Sequence, residues 1–191
     1  MYDFRFDYLY PSYRLAAGKH LTACKKIIAN YQDVDIPKYI CWEIYYLSGY
    51  IIEGCGIYAI YKNSDWQENI KIDEKYGCHK YDEIGEMIKV FEEDTGFCFN
   101  QDTRYNIGKK LKFIQGHRIK NYKEYLAINF HDLPYLGGGA ICEEEIVNLL
   151  DKWHPDFRYV TPSDDQQITS DTIKVLIRVC SDIFNYVNTL I

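Results

Sequence analysis

Nowhere in its 191 residues does this chain place two cysteines at CxxC spacing, although it holds seven: Cys24, Cys41, Cys55, Cys78, Cys98, Cys142 and Cys180. Without such pairs neither a zinc knuckle nor a redox dithiol is expected, and free buried thiols in a cytoplasmic protein are the simplest account. Turn-spaced metal ligands are missing too. His131 with Asp132, and His154 with Asp156, are adjacent polar pairs and not an HExxH helix. Gly137, Gly138 and Gly139 are not followed by Lys and Ser/Thr, which excludes a phosphate-cradling P-loop. No GxSxG elbow and no Cys-His arrangement stands out, and there is neither an internal repeat nor a low-complexity tract. The stretch YDFRFDYLYPSY has no basic segment leading into an apolar one, so no signal peptide is expected there. Positive charge is in short supply: the formal net charge of -6 argues against tight nonspecific binding to nucleic acid. No metal and no cofactor is implied.

What the chain does have is apolar and aromatic mass. Apolar residues make up 47% of it, with 19 Tyr and 9 Phe, enough to bury a core and to exclude general disorder. Charge is uneven. Residues 101–125 carry seven Lys/Arg against two acids, and residues 143–171 carry eight acids against two basic residues. These stretches can pair within the fold or between subunits. The longest apolar run is CWEIYYLSGYIIEGCGIYAIYK, Cys41 to Lys62. Its length approaches a membrane span, but Glu43, Glu53 and several Gly and Tyr favour a central core helix. Positions three and four apart put Trp42, Tyr46, Gly49, Glu53, Gly56 and Ile60 on one face. Two glycines there point to close approach by another backbone, and Glu53 between them needs a partner.

Nearly every other periodic segment also reads with a period of 3.6. A first helix is expected from a cap at Ser12 to about Asn30, and the long helix from Pro37 or Lys38. A third runs through Ile84, Met87, Ile88 and Phe91 until the TG at residues 95 and 96 stops it. A short helix opens at Cys142 or Glu143, Trp153 to Gln167 reads as a loop, and Ser170 caps the last helix. The expectation is an all-α, up-and-down bundle of four to five main helices in one domain, 1–191. Within it, 97–142 is a probable irregular insertion.

Three features in order resemble the HEPN superfamily of helical bundle proteins. YLSGYIIEGCGIYAIYK, residues 46–62, is similar to that family's second-helix pattern: Tyr46, Leu47, Gly49, Tyr50 and Glu53 match, and Gly54 separates Glu53 from Cys55. His79 stands where the family has a His before an acidic and hydrophobic segment. WHPDFRY, with Trp153, Arg158 and Tyr159, resembles the Trp to Arg-Tyr signature ahead of the final helix. The match covers roughly residues 12–96 and 143–190.

The resemblance implies a homodimer or a protein partner, and a toxin-antitoxin or defence setting. Many members are metal-independent ribonucleases whose Arg and His are separated by four to six residues around the start of the last helix, and others bind nucleotides, nucleic acids or partners. Here Arg158 is followed by Tyr159, Val160, Thr161, Pro162, Ser163, Asp164 and Asp165, with no His at that spacing. An Arg alone can stabilise phosphoryl charge, but nothing nearby in sequence would handle the proton. The expected function is therefore a non-catalytic or catalytically degenerate module acting through a partner, a nucleotide or RNA, with no catalytic residue assigned. The alternatives are a metal-independent endoribonuclease and a purely structural or interaction domain. Arg14 and His20 have the spacing but fall in the first helix, about 240° apart around its axis.

The candidate contact residues are Arg158, Tyr159, Glu53 and His79. A guanidinium and a phenol can satisfy a crowded carboxylate, either as a structural lock or leaving Arg158 partly free for a phosphate. His79, at a helix start, reads as a neutral cap or core residue. Lys109, Lys110, Lys112 and Arg118, beside Tyr105, Phe113 and Tyr122, form a basic strip that could contact single-stranded nucleic acid or serve as a solvated or acid-binding face.

Overall fold

A helix that is apolar all round has no face to give to water, so its neighbours must enclose it. The long run does this: α2, Lys38–Lys62, is buried without interruption from Ile51 to Tyr61. It starts as expected, with the Pro37 carbonyl accepting from the Ile40 and Cys41 amides at 2.9 and 3.0 Å. The computed structural model describes residues 9–63, 66–69, 84–96, 98–101, 119, 122, 125–126, 144–159 and 168–190. Among them the chain is all-α, in the order α1 (Tyr10–Ala29), α2, α3 (Ile84–Thr95), α4 (Glu144–Lys152), a 3-10 helix (Pro155–Tyr159) and α5 (Ser170–Asn188). No helix among the described residues is long and apolar enough to cross a membrane.

Both α1 and α5 pack on α2, and also touch each other. Tyr13 of α1 lies by Gly54 and His20 lies by Tyr50, so α1 and α2 are antiparallel, as their short connection requires. Arg14 meets Asn188 and Lys25 meets Ser181, which makes α5 antiparallel to α1. The Tyr45 hydroxyl donates to the Leu149 carbonyl at 2.6 Å and ties α4 to α2.

Two expected caps shift. α1 begins at Tyr10 with Leu9 as its N-cap and Pro11 in the first turn, so Ser12 is not the cap. Proline is tolerated there because the first turn's amides lack helical acceptors anyway. At α5 the N-cap is Thr169, whose Oγ1 accepts from the Thr172 amide at 3.1 Å. Ser170 is one residue inside, and its Oγ accepts from the Ile36 amide at 3.3 Å. A tertiary bond has taken the hydroxyl that the local rule assigns to capping. α3 stops where expected: Gly96 has φ +70 and its amide donates to Glu92 O at 2.9 Å. The expected loop after Trp153 contains the 3-10 turn Pro155–Tyr159. Inside the probable insertion, Ile119, Tyr122, Tyr125 and Leu126 are helical and buried.

The glycines of α2 do make room, in two different ways. A Cβ on Gly54 would stand 2.7 Å from the Tyr13 carbonyl oxygen, so this is where another backbone comes close. On Gly49 and Gly56, for which that role was expected, a Cβ would collide with the Trp153 and Tyr122 side chains. Cys24, Cys41, Cys55 and Cys180 are buried free thiols. Burial pushes Cys24 up to about 12, and Cys55 and Cys180 well above the usual thiol range, so they stay protonated and inert.

Candidate functional site

The acceptor of the WHPDFRY segment is the N-terminal half of α2. With no side chain on Gly49, the Trp153 indole lies against the helix and donates from Nε1 to the Tyr46 carbonyl at 3.1 Å. Tyr46 stacks on the indole with ring centroids 6.5 Å apart, and Tyr50 meets it edge-on at 5.2 Å. The Tyr46 and Tyr50 hydroxyls are 3.0 Å apart and bond to each other. One turn earlier, Phe157 fits between Trp42 and Tyr45, with centroid distances of 5.7 and 5.6 Å. Trp153 and Phe157 are therefore two anchors, four residues apart, that fix the turn between α4 and α5.

Between the anchors the segment is wet. His154 Nδ1 accepts from the Asp156 amide at 3.3 Å and lies 3.2 Å from Asp156 Oδ2, with both side chains exposed. A neutral imidazole takes the amide and an imidazolium takes the carboxylate, because one nitrogen serves both contacts. After the second anchor, Tyr159 is 74% exposed.

Glu53 is buried, with 7% exposure, on the α2 face where Gly49 meets Trp153 and Gly56 meets Tyr122. It lies two turns of α2 beyond Tyr45, about 12 Å along the axis from the seat of Phe157. Glu53 and Tyr159 thus differ in environment, one enclosed and one facing solvent. The side chain of Arg158, and all of His79, Lys109, Lys110, Lys112 and Arg118, lie outside the described residues.

Arg14 and His20 face different neighbours, as their angular separation requires. Arg14 donates from a terminal guanidinium nitrogen to Asn188 Oδ1 at 3.1 Å and lies 5.2 Å from the Tyr58 ring centroid. His20 is half-buried beside Tyr50, and burial lowers its pKa below 6.5. No group of three or more His, Cys, Asp or Glu among the described residues is placed to hold a metal ion.

One charged feature was missed in the sequence. Helix α1 carries Arg14, Lys19, Lys25 and Lys26 and no Asp or Glu, in a chain whose net charge is -6. The signal is present in the sequence, but residues 101–125 are a denser basic stretch. Comparison with known proteins finds no matching family model, no matching curated protein and no matching solved structure.

Proposed function

We propose that the chain is a catalytically degenerate HEPN-like module that acts through a partner, a nucleotide or RNA, with Arg158 and Tyr159 as its contact residues. The observation that carries this reading is the double anchoring of the segment just before them. Trp153 in the Gly49 notch and Phe157 between Trp42 and Tyr45 hold a short turn rigidly, and Tyr159 follows at 74% exposure. Residues presented from a fixed turn lose little freedom on binding, which favours recognition. In this reading Glu53, His79, Lys109, Lys110, Lys112 and Arg118 are further candidate contacts, proposed from the sequence alone. A homodimer or partner chain in the cytoplasm is its setting.

The absence of a His separated from Arg158 by four to six residues argues against catalysis, since the proton of an attacking hydroxyl would have no nearby imidazole acceptor. Titration with nucleotides and short RNA is expected to show saturable binding that Arg158→Ala abolishes. Binding that ignores this substitution, or no binding to either, leaves the structural reading. Metal-independent cleavage of single-stranded RNA that disappears in Arg158→Ala would establish the ribonuclease in its place.

A further inference from the structure

The antiparallel helices α1 and α5 touch through Gly18 and Phe184, where a Cβ on the glycine would stand 3.0 Å from the ring, and through Lys25 Nζ, which donates to Ser181 Oγ at 2.7 Å. Two open hollows follow one another along this seam, of about 580 and 590 Å³. The first is lined by Arg14, Leu15, Lys19 and Phe184, and the second by Lys25, Ile28, Lys174, Ile177, Arg178 and Asp182. Along the seam, among the described residues, five cations thus face one carboxylate, in a chain of net charge -6. Among the described residues none of the five forms an ion pair: Arg14 and Lys25 bond to the neutral Asn188 and Ser181. The floor is apolar, and Leu15 stands 60% exposed at one end.

We propose that this groove is a docking site for an acidic amphipathic helix of a partner protein. The partner's apolar edge would rest on Leu15, Phe184, Ile28 and Ile177, and its carboxylates would meet the five cations. From Arg14 to Ala29 the seam runs about 22 Å at 1.5 Å per residue, the length of a four-turn helix, and two packed helices offer a third one a natural furrow. Nucleic acid fits less well. Among the described residues Phe184 is the one aromatic ring in the floor, which gives no row of faces for bases to stack on, and Asp182 repels phosphate. A second copy docking the same face would bring five cations against five. A membrane surface is flat or convex on this scale and does not enter a furrow between helices.

The test uses a fluorescein-labelled sixteen-residue designed peptide with Leu at helical i, i+3, i+4 spacing and Glu on the flanks. Its control has Lys in place of every Glu. Saturable binding of the acidic peptide to the intact protein is expected, weakened by added salt and at least tenfold by Lys25→Glu with Arg178→Glu, and separately by Leu15→Asp. All these side chains are surface groups, and unchanged circular dichroism and melting temperature establish that the variants fold. The Lys control is expected not to bind. Arg158→Ala is expected to leave peptide binding intact, which separates this site from the anchored turn. Equal binding of both peptides overturns the proposal, as does binding that ignores the substitutions. It is also overturned by an oligouridylate that competes with the peptide and is lost in the same variants, or by a dimer that those variants dissociate in sedimentation.

Discussion

Two regions of this molecule bring a glycine against an aromatic ring from the last third of the chain, and they are built for opposite ends. At Gly49 an added Cβ would collide with the Trp153 indole, whose nitrogen is bonded to the helix carbonyl behind it. At Gly18 it would meet the tip of Phe184 at 3.0 Å, in the floor of an open, cationic seam. The first contact is sealed by Tyr46 and Tyr50, and the second leaves Leu15 standing in water. Close approach alone therefore does not mark a core contact; what covers the ring decides.

Breaking the sealed region carries the largest effect. Trp153→Ala removes a buried indole and its hydrogen bond, and urea titration is expected to show a loss of about 3–5 kcal/mol. Gly49→Ala overpacks the same notch and is expected to cost about 1–3 kcal/mol. The double variant should cost clearly less than the sum, because the added methyl then finds space. Strict additivity would break the idea that these two residues form one fitted pair. Thr169→Ala removes the side-chain acceptor for the Thr172 amide and should cost about 1 kcal/mol, with α5 fraying at the end nearest the anchored turn.

A pH titration sharpens the comparison from within. His20 sits half-buried beside Tyr50 at the edge of the sealed cluster, and burial holds its pKa below 6.5. The unfolded chain therefore binds the proton more readily than the folded one. Stability is full above about pH 6.5 and falls as pH drops towards the lowered folded value. Melting curves from pH 7 to 5 should show this decline, and His20→Asn should flatten it. A variant that melts with the same pH slope as the parent would remove His20 from the account. At the open seam Leu15→Asp should change stability by less than about 0.5 kcal/mol, since it replaces a side chain that is already 60% exposed. A large loss there would mean that the seam is closed in solution.

Much of this was readable in the sequence, for reasons that differ by element. α2 announced itself because no loop or strand accounts for an apolar run of that length, and its start at Pro37 and the stop of α3 at Gly96 follow from backbone chemistry alone. The cap at Ser12 was misplaced because α1 starts earlier, with Pro11 in its first turn, and the cap at Ser170 because its hydroxyl took a tertiary partner by accepting from Ile36. The glycine face of α2 was legible, but which neighbour filled each gap was not. A helix buried on every side has no moment to say which partner lies where, so Gly54 and not Gly49 turned out to receive the α1 backbone. Trp153 and Tyr159 were singled out in sequence, yet nothing in the pattern distinguished the seated ring from the exposed one. The cationic seam needed two helices to be placed side by side, because three of its five cations lie on α1 and two on α5, over a hundred residues apart.

The unbroken burial of α2 from Ile51 to Tyr61 has a cost in time. Its wall on one side is α5, more than a hundred residues downstream, so a ribosome adding about 5–20 residues per second leaves the greasiest stretch of the chain without that cover for several seconds at least. Pairings over such distances along the chain also form late in refolding. Dilution of the denatured protein at high concentration should therefore give precipitate before it gives native helix contacts, and a chaperone that shields apolar segments should raise the yield.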